Sequence, residues 1–143
     1  MNKADITVYR EIQRNTEMAM KAIDVIKEKV YDDQLASQIH RQANKYSEIK
    51  DRACQRMKQH HVNPYHTKQM QNMMLTGSIR YNTMLNNTTG HIAELMIKGS
   101  NMGILEMNKI LNHNSEAGEQ TVALAKELID FENRNIERLT KYL

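Results

Sequence analysis

The chain has 143 residues, a formal net charge of +3 and 40% hydrophobic residues, which fits one domain, residues 1–143, with a continuous core. One Phe, no Trp, five Gly and one Pro argue against a sheet sandwich and favour long helices, with a core built partly from the 11 Met. The small basic excess, with no basic stretch interleaved with aromatics, gives no indication of nucleic-acid binding.

Two long amphipathic helices are predicted in the first half of the chain. Apolar residues recur every three or four positions over about residues 5–30, and again over about residues 33–60. The pair Asp32-Asp33 is placed to supply the turn and the N-cap between the two helices. Pro64 ends the second helix, because the residue before a proline avoids the helical region.

A shorter helix is predicted over about residues 65–85, followed by a turn and an N-cap within Asn86–Gly90. The fourth predicted helix, over about residues 91–111, is apolar around much of its circumference. It carries Gly99 and Gly103 in its interior, which together cost roughly 2 kcal/mol relative to alanine. The close approach of a neighbouring helix backbone would offset that cost.

The fifth predicted helix follows a break at Asn112–Asn114, has Ser115 as its N-cap and runs to the C-terminus. One acid, Glu132, interrupts its apolar stripe. A buried lone carboxylate is costly, so the stripe predicts either a partner or a raised pKa for Glu132. Besides an inward-reaching arginine, the candidate partners are polar residues on facing stripes: Thr16, Gln42 and Tyr46.

Short loops make consecutive helices antiparallel, so the five predicted helices form an all-α bundle. The four longest or most apolar helices then run up, down, down and up, with the short third helix as a crossover. This topology resembles the ferritin-like four-helix bundle. A di-iron centre in that family uses Glu-x-x-His pairs, whereas this sequence contains none and offers Glu132-x-x-Asn135 instead.

Two segments also resemble small uncharacterised helical proteins of Firmicutes bacteria. They are HIAELMIKGSNMGILEM, which starts at His91, and the tail ENRNIERLTKYL, which starts at Glu132. The resemblance implies a bacterial, cytoplasmic setting and no particular chemistry. A cytoplasmic location also fits the single cysteine, the polar N-terminus and the lack of a stretch near the ~20 apolar residues of a membrane span.

Two groups of residues are candidate metal ligands, with iron or zinc as the metal. The first is a rearranged ferritin-like site of inward-facing acids on adjacent helices with a nearby histidine: Glu132, Glu106, His91 and His40. The second consists of histidines that the topology places at one end of the bundle: His60, His61, His66 and His113. Copper binding by the methionines of the third predicted helix is disfavoured, because those methionines have core spacing.

No Gly-rich phosphate loop, nucleophile elbow or paired-carboxylate motif is present, which favours a non-enzymatic protein without a cofactor. The leading hypothesis is association, as a homodimer or with a protein partner, because the fourth predicted helix is so apolar and carries small residues. The alternative is a ferritin-like protein that binds a metal or a small ligand at the rearranged site around Glu132 and Glu106.

Overall fold

The computed structural model describes residues 1–64 and 86–143. Within these ranges the chain forms four α-helices: α1 (Lys3–Ile26), α2 (Asp33–Gln59), α3 (Thr89–His113) and α4 (Glu119–Thr140). A short 3₁₀ turn, Lys27–Lys29, follows α1. These residues contain no strand, which confirms the all-α class.

The starts of three helices follow from local sequence. Asn2 caps α1 reciprocally: its side chain accepts from the backbone N–H of Asp5 at 2.8 Å, and its own backbone N–H donates to the Asp5 carboxylate at 2.9 Å. Asp32 caps α2, as predicted. Thr88 caps α3 inside the predicted break between the third and fourth helices. Short polar side chains before an apolar run therefore located the starts of α2 and α3 correctly, whereas α1 begins two residues before the predicted position.

The last helix begins later than the sequence predicts. Ser115 is not its N-cap, because α4 starts at Glu119 and has Gly118 as its N-cap. The Asp5 carboxylate, on α1, accepts from the Gly118 N–H at 2.8 Å and from the Thr121 hydroxyl at 2.6 Å. Burial raises the pKa of Asp5, but the hydrogen bonds from Thr121, Asn2 and Gly118 outweigh it and hold the pKa below its ordinary value. A side chain from a distant helix thus anchors the start of α4.

Contacts between the helices fix their relative directions. The first turn of α1 meets the first turn of α4 through Asp5 and Thr121, so these two helices run the same way. Arg56, near the end of α2, donates to the hydroxyl of Tyr9, near the start of α1, so α2 runs in the opposite direction. Gly90, at the start of α3, packs against the backbone at the C-terminal end of the chain, so α3 is antiparallel to α4.

One core lies between the four helices. Each helix contributes fully buried side chains, among them Ile12, Ile39, Met57, Ile92, Met107 and Leu128. None of the described helices has the length and hydropathy to span a membrane.

The prediction of five helices is wrong, since the described residues form four. The four described helices share one core of buried side chains, which is the arrangement of a four-helix bundle. The predicted crossover helix, about residues 65–85, lies outside the described residues.

Candidate ligand-binding site

Glu132 lies inside the bundle, as its position on the apolar stripe predicts, and is 2% exposed. Each of the other three helices also buries polar side chains, a feature that aliphatic packing alone does not require. Among these side chains, together with one from its own helix, are Thr16, Gln42, Tyr46, Ser100 and Asn135.

The hydroxyls of Tyr46 on α2 and Ser100 on α3 lie near the carboxyl group of Glu132 and act to lower its pKa. The amide nitrogen of Asn135 donates to the Tyr46 oxygen at 3.3 Å. The Tyr46 ring also packs edge-on against Phe131, with ring centroids 5.0 Å apart. These contacts fix the phenol in place beside the acid.

The predicted partners of Glu132 are correct only in part. Tyr46 is a partner, but the Thr16 hydroxyl donates to the backbone oxygens of Ile12 and Gln13 on its own helix. Ser100 is the partner that sequence reasoning missed. It lies within a group of small residues that suggests close helix packing rather than a polar contact.

Burial raises the pKa of Glu132 to about 7, although the hydrogen bonds from Ser100 and Tyr46 act in the opposite direction. Near neutral pH the side chain is therefore present in both its protonated and its ionised form. Burial and the charge of Glu132 raise the pKa of Tyr46 well above its ordinary value, so the phenol keeps its proton. The second carboxyl oxygen, Oε2 of Glu132, is buried and has no partner among the described residues.

A cavity of about 730 Å³ opens between α1 and α3, and Glu132, Tyr46 and Ser100 line its buried end. Most of the other lining side chains are apolar or small. Those from α1 are Met18, Ala19, Ala22, Ile23 and Ile26, and those from α3 are Leu95, Met96, Gly99, Met102 and Gly103.

Three further charged residues line this cavity, and each has an opposite charge close by on its own helix. Arg14 pairs with Glu11 at 2.5 Å, Lys98 with Glu94 at 3.2 Å, and Glu106 with Lys109 at 3.8 Å. Glu132 has no such ion pair with a described residue. It is therefore the lining charge that an incoming ligand would meet without a competing counter-ion.

The two interior glycines of α3 differ in their surroundings. A Cβ atom at Gly103 would lie 2.8 Å from Oδ1 of Asn15 and 3.9 Å from the carboxyl carbon of Glu132, so the glycine keeps the space over the acid open. A Cβ atom at Gly99 would meet nothing within 4 Å. The expected approach of a neighbouring helix backbone is therefore absent at both positions among the described residues.

The first predicted group of metal ligands is only partly brought together. Glu106 lines the same cavity as Glu132. His91 is not among the described lining residues and lies 3.9 Å from Glu94 near the start of α3, while His40 is exposed on α2. Among the residues that the structure describes, no three His, Cys, Asp or Glu side chains are grouped so that they would hold a metal ion.

The predicted histidine cluster is incomplete in the described part of the chain. His60, His61 and His113 are exposed, and Nδ1 of His113 lies 2.7 Å from the backbone oxygen of Lys109. The fourth member, His66, lies outside the described residues, as do Met70, Met74 and Met84.

No protein-family model matches the chain, and neither a curated protein nor a solved structure matches it. The ferritin-like and Firmicutes resemblances therefore stay predictions. A function for this chain must therefore be argued from the geometry around Glu132.

Proposed function

We propose that the protein binds a small amphipathic molecule in the cavity between α1 and α3. The observation that carries this proposal is that Glu132, a buried acid whose Oε2 atom has no partner among the described residues, lines a mainly apolar cavity. Leaving a buried acceptor without a hydrogen bond is costly, and a ligand that brings a donor to this atom would remove the cost. A volume of about 730 Å³ also suits a small organic molecule.

The lining indicates the chemistry of such a ligand. Its polar group would be a hydroxyl or an amine that donates to Glu132, beside the hydroxyls of Ser100 and Tyr46, which line the same cavity. Its apolar body would lie against the methionine and isoleucine side chains of α1 and α3. Methionine adapts readily to different apolar shapes, which favours a flexible aliphatic chain over a rigid ring system.

The proposal is tested by titrating the protein with 1-decanol and 1-decylamine, using displacement of the neutral dye Nile red as the signal. Ala22→Leu adds side-chain volume inside the cavity, and Ala36→Leu adds the same volume at an exposed position of α2. We expect Ala22→Leu to weaken binding about tenfold, or about 1.4 kcal/mol, and Ala36→Leu to leave it unchanged. The proposal would be refuted if neither compound bound saturably, or if the two variants bound with equal affinity.

The association predicted from the sequence is a second candidate function, and one feature of α3 favours it. Met102 is 60% exposed and Leu105 is 51% exposed, and residues three apart lie on the same side of a helix. Two copies of the chain that pack these side chains together would form a homodimer. Sedimentation of the wild type and of Leu105→Lys at two concentrations tests this, since a wild type that is monomeric at both concentrations excludes a dimer.

A further inference from the structure

A second, smaller groove lies between α2 and α4 and has a volume of about 260 Å³. Gln42 lines both this groove and the larger cavity. The lining residues recur every three or four positions on both helices, so they face one another across the groove. Phe131 provides an apolar surface within it, and the remaining lining residues are all cationic or amide side chains.

All the charged side chains in the described lining of this groove are positive. Its described lining includes four cations, Arg41, Lys45, Arg134 and Arg138, and no acid. Lys45 pairs with Glu48 and Glu127, whereas the three arginines form no ion pair with any residue in the described ranges. A groove with several cations and no acid in its described lining favours an anionic partner.

Two buried amides point to the same kind of partner. Gln38 and Gln42 are 4% and 3% exposed, and both line the groove. The side-chain nitrogen of each is buried and has no hydrogen-bond partner among the described residues. A buried N–H donor needs an acceptor, and the cationic lining side chains supply none, because Arg and Lys only donate. The residues that line the groove therefore include several cations and two amide donors without an acceptor.

We propose that this groove binds a phosphate monoester. Guanidinium groups bind phosphate oxygens through paired N–H donors, so Arg41, Arg134 and Arg138 would hold the doubly charged end of the ligand. The amides of Gln38 and Gln42 would donate to its remaining oxygens. A volume of about 260 Å³ holds about nine water molecules, which suits a phosphoryl group with a short carbon chain and not a folded partner.

The test is calorimetric titration of the full chain with glycerol 3-phosphate, with glycerol as the uncharged control. We expect one saturable site that inorganic phosphate competes for and that glycerol does not occupy. Arg134→Gln, Arg138→Gln and Gln38→Leu should each weaken binding about tenfold or more. Lys126→Gln removes one charge from an exposed position of the same helix, outside the described groove lining, and should change the affinity less than twofold.

Sedimentation with phosphatidylcholine vesicles, with and without phosphatidic acid, distinguishes the two sources of such a group. Binding to the phosphatidic acid vesicles without binding to glycerol 3-phosphate, lost in Arg134→Gln, would support the site and assign its phosphate to a lipid headgroup. Binding to neither probe overturns the proposal. It is also overturned if Lys126→Gln weakens binding as much as Arg134→Gln does, because the effect would then be general charge attraction. Circular dichroism shows whether each variant keeps its helices.

Discussion

The buried acid predicts an unusual dependence of stability on pH. In the folded protein the pKa of Glu132 is about 7, compared with an ordinary value of 4.5 that applies once the chain unfolds. Between these two values the folded state holds a proton on this side chain that the unfolded state has lost. The free energy of unfolding should therefore fall as the pH rises from 4.5 to about 7, and this contribution should be constant above that range.

The size of the effect follows from the displacement of the pKa. A rise from 4.5 to about 7, at about 1.4 kcal/mol per pH unit, corresponds to about 3 kcal/mol. The wild type should therefore lose about 3 kcal/mol of stability from this side chain between pH 4.5 and pH 8. In Glu132→Gln the side chain does not titrate, so the variant should keep that stability. Any cost of the amide itself is the same at every pH.

The measurement is urea unfolding of wild type and variant, followed by circular dichroism at pH 4.5, 6, 7 and 8. Subtracting the two curves removes the titration of all other groups. Glu137→Gln, at an exposed position on the same helix, is the matched control and should follow the wild type throughout. If the difference between wild type and Glu132→Gln changes by less than about 1 kcal/mol over this range, burial does not control the proton affinity of Glu132 and the reasoning fails.

Two further predictions concern stability. Asp5→Ala should lower the free energy of unfolding by about 2 kcal/mol at pH 7, because the Gly118 N–H and the Thr121 hydroxyl lose their acceptor. The loss should be smaller at a pH below the lowered pKa of Asp5, where the carboxyl group is protonated in the wild type. Urea unfolding checks this against Asp24→Ala, an exposed change on the same helix, and equal effects would contradict it. Gly99→Ala should stabilise the protein by up to about 1 kcal/mol, since a Cβ there meets nothing, whereas Gly103→Ala should gain less because its Cβ meets Asn15. Thermal unfolding ranks the two glycine variants, and an equal gain in both would show that the contact at Gly103 has no effect.

Much of the secondary structure was predictable, because the apolar spacing and the capping residues are local signals. Asp32 marks the start of α2 in the sequence as it does in the structure. The same spacing placed Glu132 in the interior, where it is 2% exposed. A helical stripe thus identifies which side chains face inward, including a polar one, without any knowledge of the neighbouring helices.

The details of the site depend on how the helices are placed against one another, and periodicity does not encode that. Ser100 reaches Glu132 only because α3 packs beside α4 in one particular register. Asp5 supplies acceptors to the start of α4 from more than a hundred residues away. The basic groove likewise requires Arg41 and Arg134 to face each other across two helices. In the sequence these two arginines look like ordinary surface charges.

The link made by Asp5 also bears on how the bundle opens. It joins the first turn of α1 to a backbone N–H 113 positions further along the chain, so the starts of the first and last helices are tied together. Fraying of the N-terminal turn would release the N–H of Gly118 at the start of the last helix, and the two segments would then exchange with solvent as one unit. A substitution in the first turn of α1 should therefore increase hydrogen exchange at Gly118.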